Sequence, residues 1–240
     1  MKSNLFLELL YPPRCPVCDE AAPFGKRICP DCRKRLSVIG EPYCMKCGRP
    51  LTCDAEYCDS CRKEKHYYRS GRSLYRYRSV SGGMYRLKNA DRQEYAEVYA
   101  REIVKHLGGY IRSLGDAVLV PVPVHKRKER RRGYNQAELL AREIGGIMGL
   151  PVAADLVERV DDTKAAKLLN GRERARNLKN AFKLAQNGVK WSTAIIIDDI
   201  FTTGATVDGV AKALSGAGVS RIHFICISSG DGVSSEERKV

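Results

Sequence analysis

Two groups of residues in this 240-residue chain have the types and spacing to do chemistry. Eight of the ten cysteines form four C-x2-C pairs: Cys15/Cys18, Cys29/Cys32, Cys44/Cys47 and Cys58/Cys61. Ten residues separate the pairs within each half, and the whole unit recurs after 29 residues. A C-x2-C knuckle offers two thiolates to one tetrahedral ion, and two knuckles close a four-thiolate site. Two structural Zn2+ ions are the expectation; a single zinc with spare cysteines and an iron–sulfur cluster are the alternatives. Spacing leaves open whether the sites are sequential or interleaved, although the clean duplication favours sequential. Cys53 falls outside the pattern, and Cys226 lies in an apolar, strand-like run that suits a buried, unreactive thiol.

The second group is Ile195-Ile196-Ile197-Asp198-Asp199-Ile200-Phe201-Thr202-Thr203-Gly204-Ala205-Thr206. Three isoleucines read as a core strand of a parallel sheet, and the two carboxylates stand where it ends, at the edge where open α/β sheets bind ligands. The Thr-Thr-Gly-Ala-Thr stretch supplies hydroxyls, small side chains and free backbone N–H groups at a helix N-terminus, which suits a phosphate. Acids for ribose hydroxyls and a loop for a 5′-phosphate describe a sugar phosphate.

The elements needed to position these groups can be read along the chain. A polar connector after Cys61 puts a domain boundary near residue 65, with a cysteine-rich module over 1–65 and a larger domain over 66–240. In the larger domain strands are expected at 72–78, 117–124, 156–160, 193–197 and 221–228. Helices are expected at 84–107 (after Gly82 and Gly83), 135–148, 172–180 and 204–216, with polar loops at 126–132 and 161–171. This alternation indicates a mainly parallel sheet with helices on both faces. Residues 5–10 read as a short amphipathic helix and the last ten residues as a frayed tail.

Charge separates the two parts. The net charge is +14, of which residues 1–65 hold +3 and residues 66–240 hold +11. Eight thiolates and two dications would bring the first part to −1, so the basic excess belongs to the larger domain, not to the fingers. Lys126-Arg127-Lys128-Glu129-Arg130-Arg131-Arg132 is its densest run. The run reads as part of a pyrophosphate site at its start, as a track for a single-stranded nucleic acid, or as a solvated loop. Tyr134, Tyr67, Tyr68, Tyr75, Tyr77 and Tyr85 could stack on bases, but at strand spacing they read first as packing. With no apolar run of membrane-spanning length and no secretory signal, a cytoplasmic location is expected.

The segment around Asp198 resembles the phosphoribosyl pyrophosphate (PRPP) signature of type I phosphoribosyltransferases. The resemblance extends to Val120-Pro121-Val122-Pro123 with His125 and Lys126, to Arg132-Gly133-Tyr134-Asn135-Gln136-Ala137, and to Arg174, Asn177-Leu178 and Ala181-Phe182. With the cysteine pairs ahead of them these motifs are similar to those of the ComF family, and they span nearly the whole chain. The resemblance implies a type I phosphoribosyltransferase fold behind a zinc module. It implies that Asp198 and Asp199, the candidate catalytic pair, hold the ribose hydroxyls with Mg2+ nearby. Thr202, Thr203, Gly204, Ala205 and Thr206 would hold the 5′-phosphate, and Lys126 and Arg127 would face the pyrophosphate. Lys88 and Arg174 would close over the anion. It further implies a role in natural competence and the handling of single-stranded DNA, with competence DNA-processing or helicase proteins as partners and a place at the inner face of the membrane. A working transferase with an amine or nucleobase acceptor is the alternative. Two positions depart from the family pattern: Ala166, three residues after Thr163 where glutamine is common, and Asn89, where an aromatic commonly follows the Leu-Lys pair.

Overall fold

A computed structural model describes residues 11–160, 181–185 and 190–230. The expected helices at 5–10 and 172–180, the loop at 161–171, Arg174 and the terminal tail lie outside these residues.

The centre is a four-stranded, wholly parallel sheet. It consists of β1 (Ser70–Arg76), β2 (Val118–Pro121), β5 (Thr193–Phe201) and β6 (Arg221–Ser229), in the order β1-β6-β5-β2. β3 (Val157–Arg159) and β4 (Phe182–Leu184) form a separate antiparallel pair. β5 and β6 are buried along almost their whole length, which explains why they read as continuous apolar runs and not as alternating ones. Period-two geometry still sorts their side chains. Ile195, Ile197, Ile225 and Ile227 face α3 (Tyr77–Asn89), α4 (Tyr95–Ser113) and α6 (Gln136–Met148), while Ala194, Ile196, Ile222 and Phe224 face α7 (Ala205–Gly216) and the β3–β4 pair.

Three expectations about elements are corrected. The helix expected over 84–107 is two helices, because the chain turns after Asn89 through Asp91, whose φ of +52° cannot continue a right-handed helix. Gly82 and Gly83 lie inside α3 and do not precede it; a Cβ on Gly83 would collide with the Pro16 carbonyl and the Tyr99 hydroxyl. Residues 126–132 form a short helix, α5 (Lys126–Arg132), not a loop. His125 caps it, its Nδ1 accepting from the Arg127 N–H at 3.1 Å, and Gly133 ends it at φ +80°.

The cysteine-rich module packs against both faces of the sheet at its β1 edge. Residues 37–39 run antiparallel to β1, with Ile39 N–H donating to the Leu74 carbonyl (2.8 Å) and Arg76 N–H to that of Ser37 (2.9 Å). Before this strip, α1 (Pro30–Arg35) and Cys15, Ala22, Ile28 and Cys32 pack on Val98 of α4. Arg33 there makes a two-pronged ion pair to Glu102 (2.9 and 3.0 Å), which also accepts the Tyr75 hydroxyl at 3.0 Å. After the strip the chain crosses to the other face. Cys44 and Cys47 join the core beneath α7, together with Tyr68, Phe201 and Phe224, and Cys58 and Cys61 at the start of and within α2 (Asp59–Lys63) pack against it.

Candidate phosphoribosyl site and its flanking metal centres

Both cysteine tetrads are assembled sequentially: Cys15, Cys18, Cys29 and Cys32 in one, Cys44, Cys47, Cys58 and Cys61 in the other, with all Sγ atoms of a set within 4.8 Å of one another. The Cys18–Cys29 and Cys47–Cys58 Sγ separations are 3.8 and 3.7 Å. A tetrahedron with Zn–S bonds near 2.3 Å has edges of about 3.8 Å, so the sulfur sets fit zinc and are far too open for disulfides. In Cys15, burial is outweighed by knuckle backbone hydrogen bonds, which bring the thiol down to about 7. Burial and the neighbouring Cys18 and Cys15 sulfurs push Cys29 up to about 12. Four such groups hold their full charge only around a cation. Cys226, as expected, is a fully buried thiol; burial first, then the nearby aspartates, holds it well above the ordinary thiol range.

The aspartates occupy the C-terminal half of β5, in the middle of the sheet's C-terminal edge. Asp198 and Asp199 are almost wholly buried. Asp198 lies beside Cys226 in the β6 register, and its Oδ1 accepts the Asp199 N–H at 2.8 Å. Burial first, and then the adjacent Asp199, raise the Asp198 carboxyl well above the usual carboxylate range. Asp199 points to the α3 face, where Lys88 Nζ lies 2.6 Å from its Oδ2. Lys88 is therefore an ion-pair partner of the acidic pair and not a solvated helix charge.

Beyond Phe201 the chain turns through Thr202 and Thr203, both exposed, to Gly204 at φ +83°, from which α7 begins. Gly204 offers no capping side chain, so the first turn depends on Thr203, whose Oγ1 is 3.4 Å from the Ala205 N–H. Unpaired N–H groups at the end of a twelve-residue helix, with exposed threonines beside them, suit an anion. Asp208, in the same first turn, faces away from the loop. Its carboxylate accepts the Tyr67 N–H (2.8 Å) and meets the His66 ring (3.4 Å), which stacks on Tyr68.

The Arg132–Ala137 stretch is the joint that brings the basic elements to this edge. Tyr134 donates its hydroxyl to the Leu87 carbonyl at 2.5 Å, fixing the end of α3 that carries Lys88. Asn135 caps α6 through Oδ1 and donates Nδ2 to the Val122 carbonyl (3.0 Å), while Val122 N–H donates to Ile197 (2.9 Å). Lys126 and Arg127 are exposed on the first turn of α5, and among the described residues no contact brings them to the aspartates. Lys128 is the more telling residue. Partial desolvation and then the charges of Arg159, Arg132, Lys88 and Arg131 lower its ammonium pKa, so positive charge from α3, α5 and β3 acts on this side chain. Arg174 lies outside the described residues.

Sequence reasoning missed two residues at this edge, Arg159 and Arg49, and placed Lys128 only within the basic run of residues 126–132. Arg159 is indistinguishable in sequence from other surface cations. Arg49 follows the second knuckle, and its guanidinium donates to the Thr202 carbonyl of the loop.

Comparison with known proteins agrees with this arrangement. Residues 6–62 match a double zinc ribbon domain and residues 130–239 a phosphoribosyl transferase domain. The chain is 31% identical over 217 residues to the DNA utilization protein YhgH of Salmonella typhimurium, covering 89% of this chain and 88% of that one. This chain belongs to the ComF family. Other ComF relatives are Competence protein F of Haemophilus influenzae (29% over 223 residues, 88% and 94% covered) and Competence protein ComFC of Bacillus subtilis (28% over 223 residues, 85% of each). The fold is therefore the phosphoribosyltransferase fold behind a ComF double zinc ribbon, and the two tetrads support two structural zinc ions. Among the described residues no helix is long and apolar enough to cross a membrane.

Proposed function

We propose that the chain binds PRPP with Mg2+ at the C-terminal edge of its sheet and acts in DNA uptake, handling incoming single-stranded DNA. The observation that carries this reading is the placement of two buried carboxylates directly ahead of a Gly204-led helix N-terminus. Asp198 and Asp199 hold the ribose hydroxyls, and their hard oxygens suit Mg2+, which would neutralise pyrophosphate charge when bound. Residues 202–206 take the 5′-phosphate through loop N–H groups and threonine hydroxyls. Lys88 moves its charge from Asp199 to the incoming anion, and Lys128 and Arg159, with Lys126 and Arg127 at the rim, hold the pyrophosphate. The DNA role comes from the relatives named for competence and DNA utilization, and the exposed basic helix α5 supplies a backbone-binding surface. Residues 1–65 act as the ribbon module and 66–240 as the phosphoribosyltransferase domain, in the cytoplasm and at the inner face of the membrane, where competence DNA-processing or helicase proteins dock.

Calorimetric titration of PRPP with and without Mg2+ tests the site. Magnesium-dependent binding is expected, and its loss in Asp198→Asn/Asp199→Asn. Absence of binding by the unaltered protein overturns the reading.

A second reading, a working transferase onto an amine or nucleobase, draws on the positive charge that acts on Lys128 from α3, α5 and β3, which would stabilise departing pyrophosphate. Pyrophosphate release that depends on an added acceptor would establish it.

A further inference from the structure

The second zinc ribbon reaches the phosphate loop through the side chain of Arg49. Its first knuckle is closed by Gly48 N–H donating to the Cys44 carbonyl (2.7 Å) and by Cys44 N–H donating to that of Arg49 (2.8 Å). Gly48 sits at φ +66°, and a Cβ there would meet the Gly71 carbonyl at 2.5 Å and Arg72 Cα at 2.8 Å. The knuckle is thus pressed against β1 with no room for a side chain, and Arg49 leaves it in one direction. Its guanidinium lies 5.6 Å from the centre of the Phe201 ring and donates to the Thr202 carbonyl. Among the described residues no carboxylate pairs with Arg49, and its Nε is buried without a partner. A partly buried guanidinium with no carboxylate partner, beside the N-terminus of α7, places positive charge where an anion is expected.

We infer that Arg49 is a positioning residue for the phosphate-binding loop, through which the metal state of the second ribbon, and not of the first, sets the affinity of the phosphoribosyl site. By holding the Thr202 carbonyl it orients the peptides that follow toward the ligand's phosphate, and its charge adds to theirs. The order of dependence is metal, knuckle, Arg49, loop. Among the described residues no contact of the first ribbon reaches residues 201–206: its Pro16 and Val17 carbonyls accept from Arg86 of α3, and Arg33 beside Cys32 pairs with Glu102 of α4. The ligand in this inference rests on the phosphoribosyl reading above; the mechanical link between ribbon and loop does not.

Two readouts on the zinc-loaded protein keep these separable. Hydrogen exchange of residues 201–206, measured without ligand, tests the link itself. Arg49→Ala and Cys58→Ser should speed exchange there, whereas Cys29→Ser should leave it unchanged. PRPP titration with Mg2+ then tests the consequence. Arg49→Ala should weaken binding roughly ten- to a hundredfold with little change in melting temperature, as expected for losing a charged hydrogen bond to a loop. Arg49→Lys, which keeps the charge without the fork, should fall between. Cys58→Ser should weaken binding and Cys29→Ser should not. Unchanged exchange and unchanged affinity in Arg49→Ala, or equal loss in the two cysteine variants, overturns the inference. If the unaltered protein binds no PRPP, the phosphoribosyl reading falls, and the exchange data alone decide whether ribbon and loop are linked.

Discussion

The two cysteine tetrads are near copies in sequence, with the same knuckles and the same ten-residue spacing, yet the fold uses them differently. The first sits on the outer flank of α4, in a small cluster of its own that includes Val98. The second shares the main core of the α7 face, where Cys44 and Cys47 are fully buried with Tyr68 and Phe224. A duplicated metal unit has thus diverged by docking: one copy is held on by polar contacts, and the other has become part of the sheet's packing and borders its ligand edge. What differs is not the ligation chemistry but the surface each knuckle buries.

The contrast predicts a graded set of losses. The largest belongs to the second tetrad. Cys47→Ser places a hydroxyl in the core and opens the metal site, and should destabilise the whole sheet by about 3–5 kcal/mol in denaturant unfolding. Cys18→Ser in the first should melt its own ribbon and leave the main transition nearly unmoved. Equal effects would erase the distinction.

Next comes the tether of the first ribbon. Arg33→Ala leaves Glu102, which is mostly buried, with the Tyr75 hydroxyl and without its main cation, and should cost about 1–3 kcal/mol, moderated by the half-exposed Arg33. Burial would raise the Glu102 pKa, but hydrogen bonds from Arg33 and Tyr75 outweigh it and hold the group below its ordinary value. Its stabilisation is therefore present above the unfolded value of about 4.3 and lost as pH falls through the depressed folded value. Thermal melts at neutral and acid pH should show the Arg33→Ala difference shrinking on the acid side.

The ligand edge should behave in the opposite sense. Asp198 is raised by burial and by Asp199, so its ionised form costs stability, increasingly as pH rises through the raised folded value. Asp198→Asn should melt a few degrees higher than the unaltered protein at pH 7 and show no advantage below the unfolded carboxylate range. That gain would identify the acid as kept for ligand binding at the expense of the fold. The smallest effect on stability falls on α5. Neutralising Lys126, Arg127, Arg130 and Arg131, all exposed, should shift stability by little, with half-buried Arg132 adding a small loss through its bond to Gln136, while the five together flatten the salt dependence of single-stranded DNA binding. An unchanged slope would place the DNA contact elsewhere.

Much of this was legible in the sequence because local chemistry dictated it. Knuckle spacing set the metal sites, and the Ile-Ile-Ile-Asp-Asp run followed by Thr-Thr-Gly set the strand, its acidic end and the helix N-terminus. What escaped depended on tertiary contact. The break between α3 and α4 hangs on one left-handed residue, Asp91, inside a continuous apolar periodicity. The short α5 is built almost entirely of charges, so it has no apolar face to announce it, only its His125 and Gly133 caps. The family resemblance marks Lys88 as an anion contact, but its ion pair with Asp199 depends on how α3 packs against β5. Arg49 lies more than 150 residues from Thr202 along the chain, and nothing local to the knuckle shows where its side chain ends.

The most direct test of the central claim is a crystal structure of the zinc-loaded protein soaked with PRPP and Mg2+. The expected result is the 5′-phosphate against the backbone N–H groups of residues 203–206, the ribose hydroxyls on Asp198 and Asp199, and the pyrophosphate facing Lys88 and Lys128. A ligand lodged elsewhere, or a phosphoribosyl group whose hydroxyls do not meet the two aspartates, would contradict it.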